Sequence, residues 1–314
     1  MLTLLPVKVY RDINSFPVDC KAVVTIGTFD GVHAGHRKIL DRLKSAAERT
    51  GGETVVFTFY PHPRLVLFPD QPLQLLNTQE EKIDLLEKSG IHHLVIQPFT
   101  REFSMMTHEN FIKNILVDKL HSIMMVVGYD HHFGKDRGGS FENLRKSGVE
   151  LGFEVEEIPA FEIDDVGVSS TKIRNALLSC DIKTANSWLG YSYRLSGTVV
   201  KGRQLGRTIG FPTANLLVDD PQKMIPADGV YAVYALTKDG KYPAMLNIGK
   251  RPTVDGMNRT VEAHILGYNT DIYGETLGIE FAERIRDEQK FSGLDELKNQ
   301  IQKDRDVVLK IIKR

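Results

Sequence analysis

An uninterrupted buried-type run, Ala22 to Ile26, passes directly into Gly27-Thr28-Phe29-Asp30-Gly31-Val32-His33-Ala34-Gly35-His36 and then into a helical stretch, Arg37 to Arg49. An apolar run of this length suits a strand covered on both faces, and a glycine turn straight into a helix suits a parallel sheet, whose strands need crossover connections. The alternation continues with strand Thr54 to Phe59, helix Thr78 to Ser89, strand His93 to Gln97, helix Thr107 to Lys119 and strand Ile123 to Val127. It predicts an α/β, Rossmann-like parallel sheet that gathers ligands at the carboxyl ends of its strands. The Gly27–His36 turn lies at such an end. Its small backbone and helix start suit a polyphosphate bound on amide donors. The turn holds no Cys or Ser, so its two imidazoles suit stabilisation of developing phosphate charge better than nucleophilic attack.

Beyond Tyr193 the periodicity changes. Strand-like runs near Leu195, Val230, Pro243, Val261 and Thr276 are separated by Gly, Pro, Asn and Asp turns, which predicts an antiparallel six-stranded-type β-barrel. The last stretch, Leu294 to Ile312, has apolar residues at 294, 297, 301, 308 and 312, acids early and lysines late, as in an amphipathic helix that complements its dipole. With 314 residues, 41% of them apolar, two cores are expected. The predicted domains are 1–185 and 186–314, with a short link near Asn186 to Tyr193.

The formal net charge is −1, without the basic excess of a nucleic-acid binder, so positive charge is local to loops. Only Cys20 and Cys180 occur, which favours reduced thiols over a disulfide framework or a cysteine metal site. No basic start precedes a long apolar core, and no apolar run approaches the ~20 residues needed to cross a bilayer. A soluble, cytoplasmic protein is expected.

His33-x-x-His36 alone also fits a zinc site or an ordinary helix start. Its surroundings point elsewhere: Gly27 and Gly31 flank Asp30, Gly35 permits close approach of a phosphate, and Arg37 with Lys38 adds cationic charge, none of which zinc requires. Downstream, Val168-Ser169-Ser170-Thr171-Lys172-Ile173-Arg174 opens a helical stretch, and its hydroxyls would cap that helix. Together the segments resemble the HxGH and ISSTxxR motifs of the nucleotidylyltransferase superfamily, and GTFDGVHAGH resembles its flavin-adenine branch. The resemblance implies that His33 and His36 hold the ATP phosphates as catalytic groups, that Ser169, Ser170, Thr171 and Arg174 close over the β and γ phosphates, and that Gly27, Phe29, Asp30 and Gly35 line the ATP site. It places Tyr60-Pro61-His62-Pro63 beside the flavin, with His62 a site residue. Gly128-Tyr129-Asp130-His131-His132-Phe133-Gly134 resembles the family's Gly-x-Asp/Asn-Phe-x-Phe-Gly, so Asp130 keeps a flavin-side polar role while His131 replaces an aromatic. Such a transfer forms no covalent enzyme intermediate. It positions an attacking phosphate in line and neutralises the departing pyrophosphate with Mg²⁺ and cationic donors.

The tract Lys201 to Asn215 carries glycines at 202, 206 and 210 among basic residues, as a phosphate-wrapping loop or a plain hairpin would. GRTIGFPTAN within it resembles the nucleotide and metal loop of riboflavin kinases. That likeness implies an ATP site of Gly202, Arg203, Gly206, Arg207, Thr213 and Asn215, with Mg²⁺ on the oxygens of Thr213 and Asn215. Glu262, on one strand face with His264, maps onto the base that meets the riboflavin 5′-hydroxyl. Asn247-Ile248-Gly249-Lys250-Arg251-Pro252-Thr253 also matches the kinase pattern, and Arg284 to Phe291 resembles the segment that closes over the isoalloxazine, bringing Arg286 and Phe291 to the flavin.

The whole chain therefore resembles the prokaryotic-type bifunctional riboflavin kinase/FAD synthetases. The implied substrates and products are ATP, riboflavin, FMN and FAD, with Mg²⁺ as cofactor, no nucleic-acid or membrane partner, and flavin-dependent apoenzymes as acceptors; self-association stays open. Three other readings stand beside it. They are an adenylyltransferase whose second domain only binds flavin, a flavin sensor that binds RNA through Lys201 to Arg207, and a metal site among His33, His36, His62, His131 and His132.

Overall fold

The computed structural model describes residues 6–129, 132–159, 167–202, 206, 209–253 and 256–312. Contacts divide the chain into two compact units, Met1–Ser169 and Ser170–Arg314.

The first unit is a six-stranded sheet built from β1 (Lys8–Tyr10), β2 (Ala22–Ile26), β3 (Glu53–Tyr60), β4 (His93–Pro98), β5 (Ser122–Gly128) and β6 (Glu154–Ile158). The order is β1-β4-β3-β2-β5-β6 and each pairing is parallel. All five residues of β2 are buried. Alternate residues enter different layers: Val24, Phe57 and Met125 join Phe111 and Leu116, whereas Val23, Val56 and Met124 join Leu40, Leu43 and Leu86. That two-sided burial is why these strands read as continuous apolar runs. The outer strands were not among the predicted ones. β1 has three residues and β6 reads Glu-Val-Glu-Glu-Ile, too short or too charged to stand out before neighbours pair with them.

The order reverses at β2, which has β3 on one side and β5 on the other. A crevice opens at such a switch point, outside the carboxyl ends. The predicted helix Thr107 to Lys119 is corrected. His108–Phe111 is one α-helical turn, Ile112–Val117 is a π-helix, and the Asp118 N–H donates to the Lys113 carbonyl at 2.9 Å. Phe111, Ile112, Ile115 and Leu116 are buried together in the core, a spacing that an α-helical face would also give, so the apolar pattern does not mark the wider turn.

The second unit begins with helices Ser170–Leu178 and Ile182–Leu189. The predicted link is corrected too: Asn186 lies within a helix capped by Asp181 and stopped by Gly190 at φ 71°, so the connection into the barrel is residues 190–193. The Asn186 carboxamide donates to the Phe281 carbonyl at 2.8 Å and accepts from the Tyr193 N–H at 2.7 Å, which ties this helix to the barrel. The barrel consists of β7 (Arg194–Val200), β8 (Ala214–Leu217), β9 (Gly229–Thr237), β10 (Gly240–Thr253), β11 (Gly256–Ile265) and β12 (Thr276–Arg286), closed in the order β10-β11-β8-β7-β12-β9 with antiparallel pairings. The four-residue β8 was not foreseen, although it carries Asn215. Helix Leu294–Ile312 lays Val308 and Ile301 on Ala232 and Met245. Among the described residues no helix is long and apolar enough to cross a membrane.

Candidate active sites

In the first unit the turn after β2 is held from several sides. The Gly27 N–H donates to the Phe57 carbonyl at 3.1 Å, continuing the ladder beyond the strand. Phe29 and Val32, both fully buried, adopt φ 48° and 34°, a left-handed conformation that costs a non-glycine residue about 1 kcal/mol or more. Burial and two polar ties hold that conformation. Asp30 Oδ1 accepts from the Leu76 and Asn77 amides at 2.9 and 3.4 Å, and Lys82 Nζ donates to the Thr28 carbonyl at 2.8 Å. Burial pushes the Lys82 ammonium below its usual range while Asp30 opposes the shift. Sequence reasoning passed over Lys82. Its one signal was a lysine four residues before Leu86, on the apolar face of helix Gln79–Lys88.

His33 caps helix Ala34–Thr50, its Nδ1 accepting from the His36 N–H at 3.4 Å. The two rings stack 3.7 Å apart at 15°, and Phe29 lies 5.0 Å from the His36 ring. Glycine at 35 keeps this corner open, since a Cβ there would stand 3.3 Å from the His33 ring. His36 Nδ1 is shut off from solvent without a hydrogen-bond partner among the described residues. Burial, with His33 and Lys82 nearby, holds His36 well below the usual imidazole range, so the ring is neutral in the free protein. The unfolded chain binds that proton more readily, so the stability at stake is complete above the unfolded histidine value of about 6.5 and is lost as pH falls below it. His93 shifts in the same direction through burial, against the pull of Glu53. The melting midpoint is expected to fall between pH about 7.5 and about 5.5, and to fall less in His36→Gln. An equal fall in that variant would remove His36 as a source.

The Val168 carbonyl lies 4.0 Å from the Cβ position of Gly35. Exposed Ser169 ends the first unit; half-buried Ser170, exposed Thr171 and half-buried Arg174 begin the second, on helix Ser170–Leu178. His62 caps the short helix Pro63–Leu67, with its Nδ1 accepting from the Arg64 N–H at 3.1 Å. Asp130 and His131 lie outside the described residues. The end of their segment does not: Phe133 is buried against Phe111, and Gly134, at φ 72°, packs where a Cβ would meet the His108 backbone at 2.8 Å. Among the described residues no group of three metal-ligating side chains includes His33, His36, His62 or His132.

In the second unit the strand register makes one row of the expected kinase residues. Glu262 on β11 pairs with Asn247 on β10 and with Asn215 on β8, which in turn pairs with Val200 on β7. Two cavities meet at Thr213. One, of about 310 Å³, is lined by Thr213, Ala263, Tyr268, Asn269, Asp271 and Tyr273. The other, of about 340 Å³, is lined by Thr213, Asn247, Glu262, His264, Arg286 and Phe291. His264 Nδ1 lies 2.7 Å from the Pro212 carbonyl and fastens the segment before β8 to β11.

Gly206 lies against backbone, since a Cβ would come within 2.2 Å of the Phe211 carbonyl oxygen. Gly202 leaves room for the Asn215 carboxamide, whose Nδ2 would be 2.2 Å from a Cβ at that position. Gly202→Ala is therefore expected to displace Asn215 and slow riboflavin phosphorylation at least about tenfold, the effect of a lost or misplaced polar contact of about 1.4 kcal/mol. FAD formation from supplied FMN, assayed alongside, should be unchanged; normal phosphorylation would deny Asn215 a role. Arg203 and Arg207 lie outside the described residues.

Arg286 is clamped more than expected. Its Nε and Nη2 donate to the buried Asp304 carboxylate at 3.0, 3.1 and 2.7 Å, fixing helix Leu294–Ile312 over the second cavity, with the guanidinium carbon 5.9 Å from the Phe291 ring. Sequence reasoning missed Asp304 and the Tyr268–Tyr273 wall. The first is an acid within an amphipathic helix and the second a turn-rich loop, features that have many plainer explanations.

A parallel α/β unit with a histidine-bearing glycine turn at its switch point, followed by a closed barrel in which Thr213 lines two cavities and Glu262 is paired in register with Asn215 and Asn247, defines a two-domain nucleotide-dependent transferase. A family model described as FAD synthetase matches residues 16–172, and one described as riboflavin kinase matches residues 189–312. The chain is 40% identical over 283 residues to the bifunctional riboflavin kinase/FMN adenylyltransferase of Escherichia coli (strain K12), covering 90% of each chain. It is 36% identical over 294 residues to the bifunctional riboflavin kinase/FMN adenylyltransferase of Bacillus subtilis (strain 168), covering 91% of this chain and 90% of that one. The chain belongs to the bifunctional riboflavin kinase/FMN adenylyltransferase family and is an enzyme of that family. A crystal structure described as a macrolide-efflux protein from Streptococcus pneumoniae superposes with a TM-score of 0.88 at 33% identity, covering 97% of this chain and 99% of that one. That likeness carries the two-unit architecture.

Proposed function

We propose that the family's two activities divide between residues 1–185, which adenylate FMN, and residues 186–314, which phosphorylate riboflavin. The observation that carries this reading is Thr213 standing between two cavities, with Glu262 lining one of them and paired in register with Asn215. Riboflavin occupies the Glu262 cavity against Arg286 and Phe291. ATP lies in the other with its phosphates toward Gly202, Arg203, Gly206 and Arg207. Glu262 takes the proton of the flavin 5′-hydroxyl as that oxygen attacks the γ-phosphorus and ADP departs. The hydroxyl of Thr213 and the carboxamide oxygen of Asn215 are hard donors suited to Mg²⁺, and Gly202 leaves the carboxamide unobstructed, so the residues present fit this ion. When bound, Mg²⁺ supplies charge neutralisation on the phosphates.

In the first half a phosphate oxygen of FMN attacks the α-phosphorus of ATP, the bond to the bridging oxygen breaks, and pyrophosphate leaves. His33 and His36 meet the phosphate charge beside Gly35. Ser169, Ser170, Thr171 and Arg174 close over the β and γ phosphates, Gly27, Phe29 and Asp30 line the nucleotide, and His62 with Asp130 faces the flavin. The neutral His36 ring supports a role as a hydrogen-bonding group that gains strength as charge develops. The partners are small molecules and flavin-dependent apoenzymes, without nucleic acid or membrane, in the cytoplasm. Incubating the purified chain with riboflavin, ATP and Mg²⁺ and separating the flavins chromatographically is expected to yield FMN first and FAD after it. FAD from FMN without FMN from riboflavin, or RNA retention without flavin turnover, would overturn the assignment.

A further inference from the structure

At the opposite end of the sheet from the phosphate turn, three ligand-type side chains converge. Cys20 lies two residues before β2, Glu53 begins β3 and His93 begins β4. Five residues of β2 separate this end from Gly27, roughly 16 Å of parallel strand. Parallel pairing aligns Ala22 with Glu53 and Val55 with His93, so the amino ends of three neighbouring strands deliver these residues to one place. His93 Nε2 lies 2.6 Å from Glu53 Oε2 and 4.0 Å from Cys20 Sγ, and the three ligand atoms are all within 4.8 Å of one another. Cys20 and His93 are buried while Glu53 opens the cluster to water.

An imidazole nitrogen needs one hydrogen-bond partner, yet Nε2 faces both the Glu53 carboxylate and the Cys20 sulfur. The other nitrogen, Nδ1, is 3.0 Å from the Tyr10 hydroxyl, a contact of the kind that orients a metal-ligating histidine. Thiolate, imidazole and carboxylate are the donor types zinc takes, and three protein ligands with a water-accessible fourth position form a recognised zinc geometry. We propose that Cys20, Glu53 and His93 bind a borderline-soft divalent cation of the zinc class, clamping β2, β3 and β4 at their amino ends. The proposal departs from the expectation, drawn from cysteine count alone, of reduced thiols rather than a cysteine metal site. Asp19 adds to the negative side of the cluster, and Lys8 faces it as a cation that a bound metal must outcompete, while the neighbouring His92 ring accepts from the Thr54 N–H through Nδ1 at 3.1 Å. On binding, the S–H bond gives way to a sulfur–metal bond and its proton passes to the buffer, while the neutral imidazole binds through the Nε2 lone pair with its single N–H moved to Nδ1, facing the Tyr10 hydroxyl oxygen.

The test uses Co²⁺ as an optical probe on the full chain stripped with a chelator. One equivalent is expected to give a near-ultraviolet sulfur-to-cobalt charge-transfer band that added Zn²⁺ abolishes. Cys20→Ser should lose the band, Cys180→Ser should keep it, and Glu53→Gln, an exposed change that preserves the fold, should bind Co²⁺ at least tenfold more weakly. Absence of the band from the wild-type chain, its persistence in Cys20→Ser, its loss in Cys180→Ser, or unchanged affinity in Glu53→Gln would each overturn the site. Circular dichroism reports whether Cys20→Ser is folded; if it is not, the Glu53→Gln titration decides.

Discussion

His36→Ala turns the chain into an enzyme that carries riboflavin to FMN and stops there. The ring lies stacked on His33 and beside Phe29, in the first turn of the helix that follows the central strand and its glycine turn. Burial keeps it neutral, so its loss deletes a hydrogen-bonding group and leaves the net charge unchanged. A preorganised donor facing developing charge is worth about 10²–10³ in rate when removed, because the surrounding site cannot reorganise to replace it. FAD formation from FMN and ATP is expected to fall by that factor, while the initial rate of FMN formation stays at the wild-type value and FMN accumulates. Flavin chromatography over a time course reads both. His36→Asn, which retains a donor near the helix start, should recover part of the loss. Undiminished FAD synthesis in His36→Ala would remove this residue from the reaction.

Glu262→Ala should do the reverse. Removing a general base costs typically about 10²–10⁴ in rate. Glu262 lies between Asn247 and Asn215 in the strand register and lines the same cavity as Arg286 and Phe291, so its replacement empties the centre of the second site without disturbing a core cluster. Riboflavin phosphorylation is expected to fall by that factor, with FAD production from supplied FMN at the wild-type rate. The isosteric Glu262→Gln should be nearly as slow, which separates loss of the base from loss of shape. If both activities vanish in a variant whose circular dichroism is native, Glu262 does more than accept a proton.

Most of the parallel sheet was legible because its inner strands are buried on both faces, which writes a continuous apolar run into residues 22–26, 54–59 and 123–127. Helix starts were legible for a local reason as well: Thr78 with Glu81 forms a complete capping box within four residues. Elements lacking such local signals were not. β8, only four residues long, becomes a strand by pairing with β7 and β11, and the π-turn at Ile112–Val117 carries an apolar pattern that an ordinary α-helix would also show. Among the candidate site residues, His33, Glu262, Thr213 and Asn215 stand in motifs of contiguous sequence. Lys82 and Asp304 do not, since each matters only through a partner far away in the chain, Thr28 and Arg286 respectively.

What the amino-acid order determined by itself is therefore everything that depends on neighbours within a few residues: the buried runs, the caps, the glycine turns and the two phosphate-type loops. Strand order and register decided the rest. They set Thr213 between two cavities, Glu262 beside Asn215, and Cys20 beside Glu53 and His93, juxtapositions of residues about 30 to 70 positions apart. Such contacts form only once the chain has met the entropic cost of closing long loops, and a sequence carries no periodicity that announces which distant strand will lie alongside.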